Sequence, residues 1–153
     1  MSNPLPPHLD DIAELQNGDD SNTSGDYYLS RHYVVFQSTD NVKFHVYKKE
    51  LASSSGGFPP AEFVSDTRDP IDLPEKAVVL DLLFSFTRPQ RYPDLHALEI
   101  EILEEFGDAA EKYEVYAAII TCKTVMRMNT SLHPLRVFKY AAKYEYQDLV
   151  DLV

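Results

Sequence analysis

The stretch from residue 34 to residue 60, VVFQSTDNVKFHVYKKELASSSGGFPP, changes its hydrophobic period partway along. Val42, Phe44 and Val46 alternate with polar residues, which is typical of a β-strand with one buried face. Residues 38–41 separate this strand from an earlier apolar run, and their short polar side chains suit a turn. The chain then carries lysine and alanine, and it ends at two glycines and two prolines. This pattern predicts a β-hairpin followed directly by one short helix.

The same pattern sets the bounds of the first elements. We predict strands at residues 33–37 and 42–46, a helix at 48–54 and a short extended strand at 70–73. Within the helix, Leu51 and Ala52 are expected to point inward. The glycines and prolines that follow prevent a long helix, but Phe58 and Phe63 are expected to anchor this broken segment on the core.

The chain from Pro74 onward has the 3.6-residue apolar period of helices. Pro74 suits a first helical turn, and Pro89 and Pro93 interrupt the pattern. We predict four helices, each with its own set of residues expected to face the core: one that begins at Pro74 (Val78, Val79, Leu82, Leu83, Phe86), 98–113 (Ile102, Phe106, Ala109, Ala110, Tyr113), 115–128 (Val115, Ile119, Cys122, Val125, Met126), and one that begins at Pro134 (Phe138, Ala141, Ala142).

Strands that come first and helices that come later favour an α+β fold. A three-stranded sheet is marginal by itself, so we expect the cluster of helices to flank and cover it. With 153 residues, the chain fits one domain with a tail.

The first 30 residues contain six acidic residues and no lysine or arginine. We predict that residues 1–30 form a disordered acidic tail. Leu9, Ile12 and Ala13 could form one helical turn, so a docking peptide is conceivable there, although a plain tail is favoured.

Charge and composition exclude several classes of partner. The net charge is −11 and no basic patch is present, which argues against direct binding to nucleic acid. No apolar run reaches the roughly 18 residues that span a bilayer, so we expect no membrane association. A single cysteine excludes an internal disulfide and is typical of an intracellular protein, cytoplasmic or nuclear.

The residue pattern does not favour catalysis. Cys122 lies on an apolar helical face, and buried cysteines are usually inert. The five histidines are too dispersed for metal-ligand spacing, and no phosphate-binding glycine loop is present. We therefore expect no catalytic residues, metal, cofactor or small-molecule substrate, and we keep a small cysteine-dependent enzyme as the alternative from another class.

The chain resembles a BTB/POZ domain from Val34 to Arg127 and is similar to the BTB proteins abundant in mushroom-forming fungi. Ala110, Lys112 and Tyr113 match the late Ala-x-Lys/Arg-Tyr motif of the family. The stretch IDLPEKAVVLDLLFSF resembles its third strand and central helix. The family's early signature is matched by Phe44, Val46, Lys48, Leu51, Ala52, Ser55 and Phe58.

The resemblance implies a BTB/POZ domain at residues 31–128, followed at 129–153 by the start of a C-terminal helical extension. It also implies a protein–protein interaction module that acts by self-association, as in a homodimer, or by partner recruitment. The implied interface residues are Lys48, Leu51, Phe58 and Phe63.

Three departures from the family pattern bear on these implications. Tyr33 stands where the family often has an aspartate, and Tyr47 replaces the histidine of a His-Lys/Arg pair. Members that recruit a cullin often carry a hydrophobic-x-Glu element, and here residues 63–65 have serine in the place of glutamate. We keep a substrate adaptor for a cullin ubiquitin ligase as the second hypothesis.

Overall fold

The computed structural model describes residues 31–58 and 69–153. Three strands and six helices lie within these ranges, so the described part of the chain is a mixed α and β structure. In chain order they are β1 (Tyr33–Gln37), β2 (Lys43–Tyr47), α1 (Lys48–Ser54), β3 (Ile71–Asp72), α2 (Ala77–Ser85), α3 (Ile100–Lys112), α4 (Tyr116–Met128), α5 (Pro134–Lys143) and α6 (Gln147–Val150).

The three strands form one sheet in the order β2-β1-β3. β1 and β2 are antiparallel, with Phe36 opposite Phe44, and β3 pairs with β1 in parallel. The predicted hairpin is confirmed, and Asn41 has the left-handed backbone expected of its turn, with φ of 63°. The prediction for Val42 was wrong, because this residue precedes β2 and is exposed.

The bounds of α1 match the prediction, but one of its two inward residues does not. Leu51 is buried, whereas Ala52 is exposed. α1 has only two turns and directly follows a strand at the edge of the sheet, so only one narrow side of it packs against the core. Leu51 occupies that side.

The start of α2 differs from the prediction. Pro74 lies outside the helix, which begins at Ala77. The amide of Ala77 donates a hydrogen bond to Asp40 Oδ1 at 2.8 Å, so the hairpin turn caps this helix. The buried face also differs from the predicted one, because Val78 is exposed while Val79, Leu80, Leu83 and Phe84 are buried.

α3 and α4 form an antiparallel pair close to the predicted bounds. Cys122, Val125 and Met126 are buried on α4, as expected. On the α3 side, Phe106, Ala109, Ala110 and Tyr113 are buried as predicted, whereas Ile102 is only half-buried and Leu103 is buried in its place. Glu114 joins the two helices with φ of 50°.

α5 begins at Pro134 and buries Ala141, both as predicted. Phe138 and Ala142 were also expected inside but are exposed, whereas Val137 and Tyr140 are buried. Gly107 explains part of this difference: a Cβ there would lie 2.8 Å from the Tyr140 ring. Its absence lets the tyrosine pack closely against α3.

Ion pairs hold the last two helices onto α3 and α4. Arg136 of α5 contacts Glu101 and Glu104 of α3, each at 2.8 Å. Asp148 of α6 pairs with Lys123 and Arg127 of α4. Residues 129–153 therefore pack directly on the preceding helices.

Among residues 31–58 and 69–153, no helix combines the length and the apolar content needed to cross a membrane.

Candidate interaction surface

The four residues that the resemblance assigns to an interface lie in different environments. Leu51 and Phe58 are core residues, with 7% and 9% of their surface exposed. Lys48 is half-buried at the start of α1. Phe63 lies outside the described residues, as do the other residues of the element on which the cullin hypothesis depends. Leu51 and Phe58 therefore lie in the core beneath the surface, and their side chains are not exposed to a partner.

Phe58 anchors the segment after α1 against the turn between α3 and α4. Its ring stacks on Tyr113 with a centroid distance of 4.4 Å and an interplanar angle of 4°. It also packs against Phe36 of the sheet and Phe84 of α2. This contact ties the sheet, α2 and the α3–α4 turn to one aromatic side chain.

Backbone hydrogen bonds hold the same segment to that turn. The amide of Gly56 donates to the carbonyl of Glu114 at 3.1 Å, and the amide of Gly57 donates to that of Tyr113 at 2.9 Å. Ser55 and Val115 form an isolated antiparallel bridge. The end of α1 is therefore fixed beside the start of α4.

This junction brings the end of α1 beside the exposed start of α4, and we call the surface there the α1–α4 face. Gly56 lies against Tyr116, because a Cβ on the glycine would be 2.6 Å from the Tyr116 hydroxyl and 3.0 Å from the Glu114 carboxylate. Ile120 follows Tyr116 one helical turn later, and Ile120 is 68% exposed and Tyr116 is 55% exposed. The face consists of Gly56, Glu114, Tyr116 and Ile120, which are all exposed.

Charge on this face is sparse. Glu114 is the charged residue of the face, and Tyr116 and Ile120 supply its aromatic and apolar parts. On α1, burial raises the pKa of Glu50, and the positive charge of Arg88 partly opposes that rise.

Tyr116 and Ile120 were not identified from the sequence. The apolar period of α4 runs through Cys122, Val125 and Met126, and Ile120 falls on the opposite arc. The sequence signal that could have identified Ile120 is its place as a β-branched apolar residue among mostly polar residues on the exposed side of α4. The contact between Gly56 and Tyr116, in contrast, is a tertiary feature that no local pattern encodes.

Cys122 lies away from the surface. Its side chain is buried between α3 and α4, and its Sγ contacts the carbonyl of Leu103 at 3.7 Å. Burial raises the pKa of the thiol to about 12, while a hydrogen bond with Tyr140 acts in the opposite direction. Such a thiol is protonated and unreactive at neutral pH. Residues 31–58 and 69–153 contain no cluster of three or more acidic, histidine or cysteine side chains arranged to hold a metal ion.

An open groove of about 370 Å³ runs between the start of α2 and α3. Its most buried ionisable group is the carboxylate of Glu75, which accepts hydrogen bonds from Lys112 at 2.9 Å and from the Tyr113 hydroxyl at 2.8 Å. Burial raises the pKa of Tyr113 to about 12, so this hydroxyl stays a donor. Because these three groups satisfy one another, they stabilise the groove rather than expose reactive chemistry.

The chain matches no protein-family model and no curated protein sequence.

Proposed function

We propose that this chain is a BTB/POZ-type protein–protein interaction module that self-associates through the α1–α4 face. The order of elements supports this proposal, since a hairpin, one short helix, a short parallel strand and a helical cluster follow one another as in that family. The observation that carries it is the exposure of Tyr116 and Ile120 on a face of low charge.

An apolar and aromatic patch gains free energy when another surface covers it. In a two-fold dimer the same patch meets itself, so a face that carries few charges limits like-charge repulsion between the two copies. Elsewhere the net charge of −11 would oppose the approach of a second copy.

The test is the variant Ile120→Asp. A carboxylate placed at the centre of a covered apolar patch must be desolvated, so we expect the dissociation constant of the dimer to rise by roughly tenfold or more. Light scattering would then give a mass that approaches the 17.5 kDa of one chain. Circular dichroism checks that the helices are retained.

Val78→Asp is the matched control, because Val78 is an exposed valine on α2, outside the face. We expect this variant to keep the mass of the unmodified protein. Equal masses for Ile120→Asp and the unmodified dimer would exclude the α1–α4 face as the contact surface.

A further inference from the structure

An imidazole and a thioether meet at the surface, between the loop that precedes α3 and the end of α4. His96 Nε2 lies 3.1 Å from Met128 Sδ, although the two residues are 32 positions apart in the chain. Both are accessible to solvent, since the side chain of His96 is 53% exposed and Met128 is 62% exposed. Sequence spacing does not reveal this pair, because only the fold brings the loop and the helix together.

Buried neighbours hold both residues in place. Leu95, beside His96, is 1% exposed, and its carbonyl accepts a hydrogen bond from the amide of Leu98 at 3.3 Å. Met126, two residues before Met128 on α4, is fully buried. The two segments are therefore anchored in the core, while the side chains of His96 and Met128 stay accessible.

Asp94 determines which ring nitrogen of His96 carries hydrogen. Its Oδ1 lies 2.7 Å from His96 Nδ1 and also accepts a hydrogen bond from the His96 amide at 2.9 Å. Hydrogen bonds from the amide and the ring of His96 lower the pKa of Asp94, so its carboxylate is charged at neutral pH and can only accept. Nδ1 therefore carries hydrogen, and in the neutral ring Nε2 presents a lone pair.

In the neutral ring, the lone pairs of a nitrogen and a sulfur thus converge. A thioether has no hydrogen to donate, so neither atom satisfies the other. A histidine whose second ring nitrogen donates to a carboxylate is the usual arrangement of a metal-binding histidine. Imidazole combined with thioether selects a soft cation such as Cu(I) over Mg²⁺ or Ca²⁺, which prefer oxygen ligands.

We propose that His96 Nε2 and Met128 Sδ form a surface site for a soft monovalent cation, Cu(I) or its analogue Ag(I), with Asp94 as the residue that positions the imidazole. Cu(I) is stable with two or three ligands, so two protein donors and one solvent molecule complete the site. The site lies about 18 Å along α4 from Tyr116 and does not depend on self-association.

Distance and charge both suit such an ion. With coordination bonds of about 2.0 Å to nitrogen and about 2.3 Å to sulfur, the observed separation gives an angle of about 90° at the metal, and a further separation of roughly 0.6 Å widens this angle to about 120°. Both exposed side chains can make that movement. Arg127, the cation next to Met128, is paired with Asp148, and the net charge of −11 attracts cations.

The test is a titration of the full chain with Ag(I), a redox-stable probe, in chloride-free buffer at neutral pH, followed by NMR. We expect the ring signals of His96 and the methyl signal of Met128 to shift and saturate together. Ca²⁺ should leave both unchanged, because neither donor atom is oxygen. Cys122 and Met1 give separate signals, so silver bound to the buried thiol or at the N-terminus is distinguished from silver at the surface site.

Three variants separate the roles of the residues. Met128→Leu nearly keeps the shape of the side chain but removes the sulfur, so the affinity read from the His96 signals should fall at least about tenfold. Asp94→Ala should lower the affinity by roughly 10- to 100-fold. Asp94→Asn should lose less, since its amide oxygen still accepts the hydrogen of Nδ1. His45→Gln is the matched control, because it changes an exposed histidine on β2, and it should leave the affinity unchanged.

The site would be overturned by silver that shifts neither His96 nor Met128, that binds only at Cys122 or Met1, or that binds Met128→Leu as tightly as the unmodified chain. The contact would then be only a hydrogen bond from the protonated ring to the sulfur. Equal affinities of Asp94→Ala and the unmodified chain would contradict the positioning role of Asp94.

Discussion

At the scale of single residues, Gly57 is a position where the segment after α1 packs directly against the main chain of the α3–α4 turn. A Cβ there would lie 2.6 Å from the carbonyl oxygen of Lys112 and 2.7 Å from Cα of Tyr113. Both are main-chain atoms of the α3–α4 turn, so they cannot move aside by changing a rotamer. The neighbouring Gly56 differs, since its added Cβ would meet the far ends of the Tyr116 and Glu114 side chains.

We therefore expect Gly57→Ala to lower the free energy of unfolding by about 2 kcal/mol or more, through overpacking against backbone. Gly56→Ala is the matched control and should cost clearly less, because two flexible side chains can move. Urea denaturation followed by circular dichroism measures both. Equal losses for the two variants would contradict the close approach of Gly57 to the turn.

Cys122 gives a second prediction at this scale. A pKa of about 12 leaves roughly a thousandfold less thiolate at neutral pH than a pKa near 9 does. We expect a thiol reagent to label the native protein at least about 100-fold more slowly than the urea-unfolded chain. Labelling at the unfolded rate would revive the hypothesis of a cysteine-dependent enzyme.

At the scale of elements, tyrosine hydroxyls join α5 and α6 to α3. Tyr144 donates a hydrogen bond to Asp108, and Tyr146 donates one to Glu111. Burial raises the pKa of both tyrosines, and the hydrogen bonds to these carboxylates raise them further. Burial likewise raises the pKa of Tyr140, beside Cys122. The junction therefore requires protonated hydroxyls facing charged carboxylates.

This junction predicts a loss of stability in alkali. Because the folded tyrosines keep their protons above the pH at which unfolded tyrosine ionises, near 10, the unfolded state binds fewer protons there. The free energy of unfolding should therefore fall as the pH rises above about 10, with Cys122 contributing from about pH 9 upward. Urea midpoints at about pH 8 and about pH 11 measure this fall.

Tyr146→Phe should lower stability at neutral pH by about 1 kcal/mol, through the lost hydrogen bond, and should make the alkaline fall smaller. Tyr92→Phe is the control, since Tyr92 is an exposed tyrosine that stacks on Phe86 through its ring. A midpoint that stays constant to about pH 11, or an equal effect of both variants, would contradict the role of the junction.

Local sequence patterns predicted the elements whose boundaries are set by residues within them or next to them. The hairpin and α1 were found because the hydrophobic period changes at residue 47 and glycines follow the helix. The start of α2 was missed because Asp40, 37 residues earlier, supplies its cap. The exposed face of α5 was not predicted, because apolar residues lie on both sides of this helix. The contacts of Tyr140 with α3 determine which of the two sides is buried.

The candidate site was harder to predict than the fold. Leu51 and Phe58 match family positions, yet their side chains fill the core beneath the surface. Tyr116 and Ile120 offer exposed apolar area, and the segment after α1 reaches them through the packing of Gly56 on Tyr116. Because this adjacency is produced by tertiary structure, a single sequence does not reveal it.

At the scale of the whole molecule, the chain combines a satisfied interior with two exposed apolar surfaces. Cys122 is buried, and the Glu75 carboxylate and the Tyr113 hydroxyl are hydrogen-bonded to each other. Exposed apolar side chains lie on α4, at Tyr116 and Ile120, and on α5, at Leu135 and Phe138.

The most direct test of this account is the solution mass of the unmodified chain, measured by light scattering across a dilution series. Interfaces that persist in solution usually bury more than about 1,000 Å², so a self-associating face must extend beyond Tyr116 and Ile120 to its surroundings. The account predicts a mass of about twice 17.5 kDa at high concentration that falls toward the single-chain value on dilution. A mass of one chain at every concentration up to about 1 mM would contradict it.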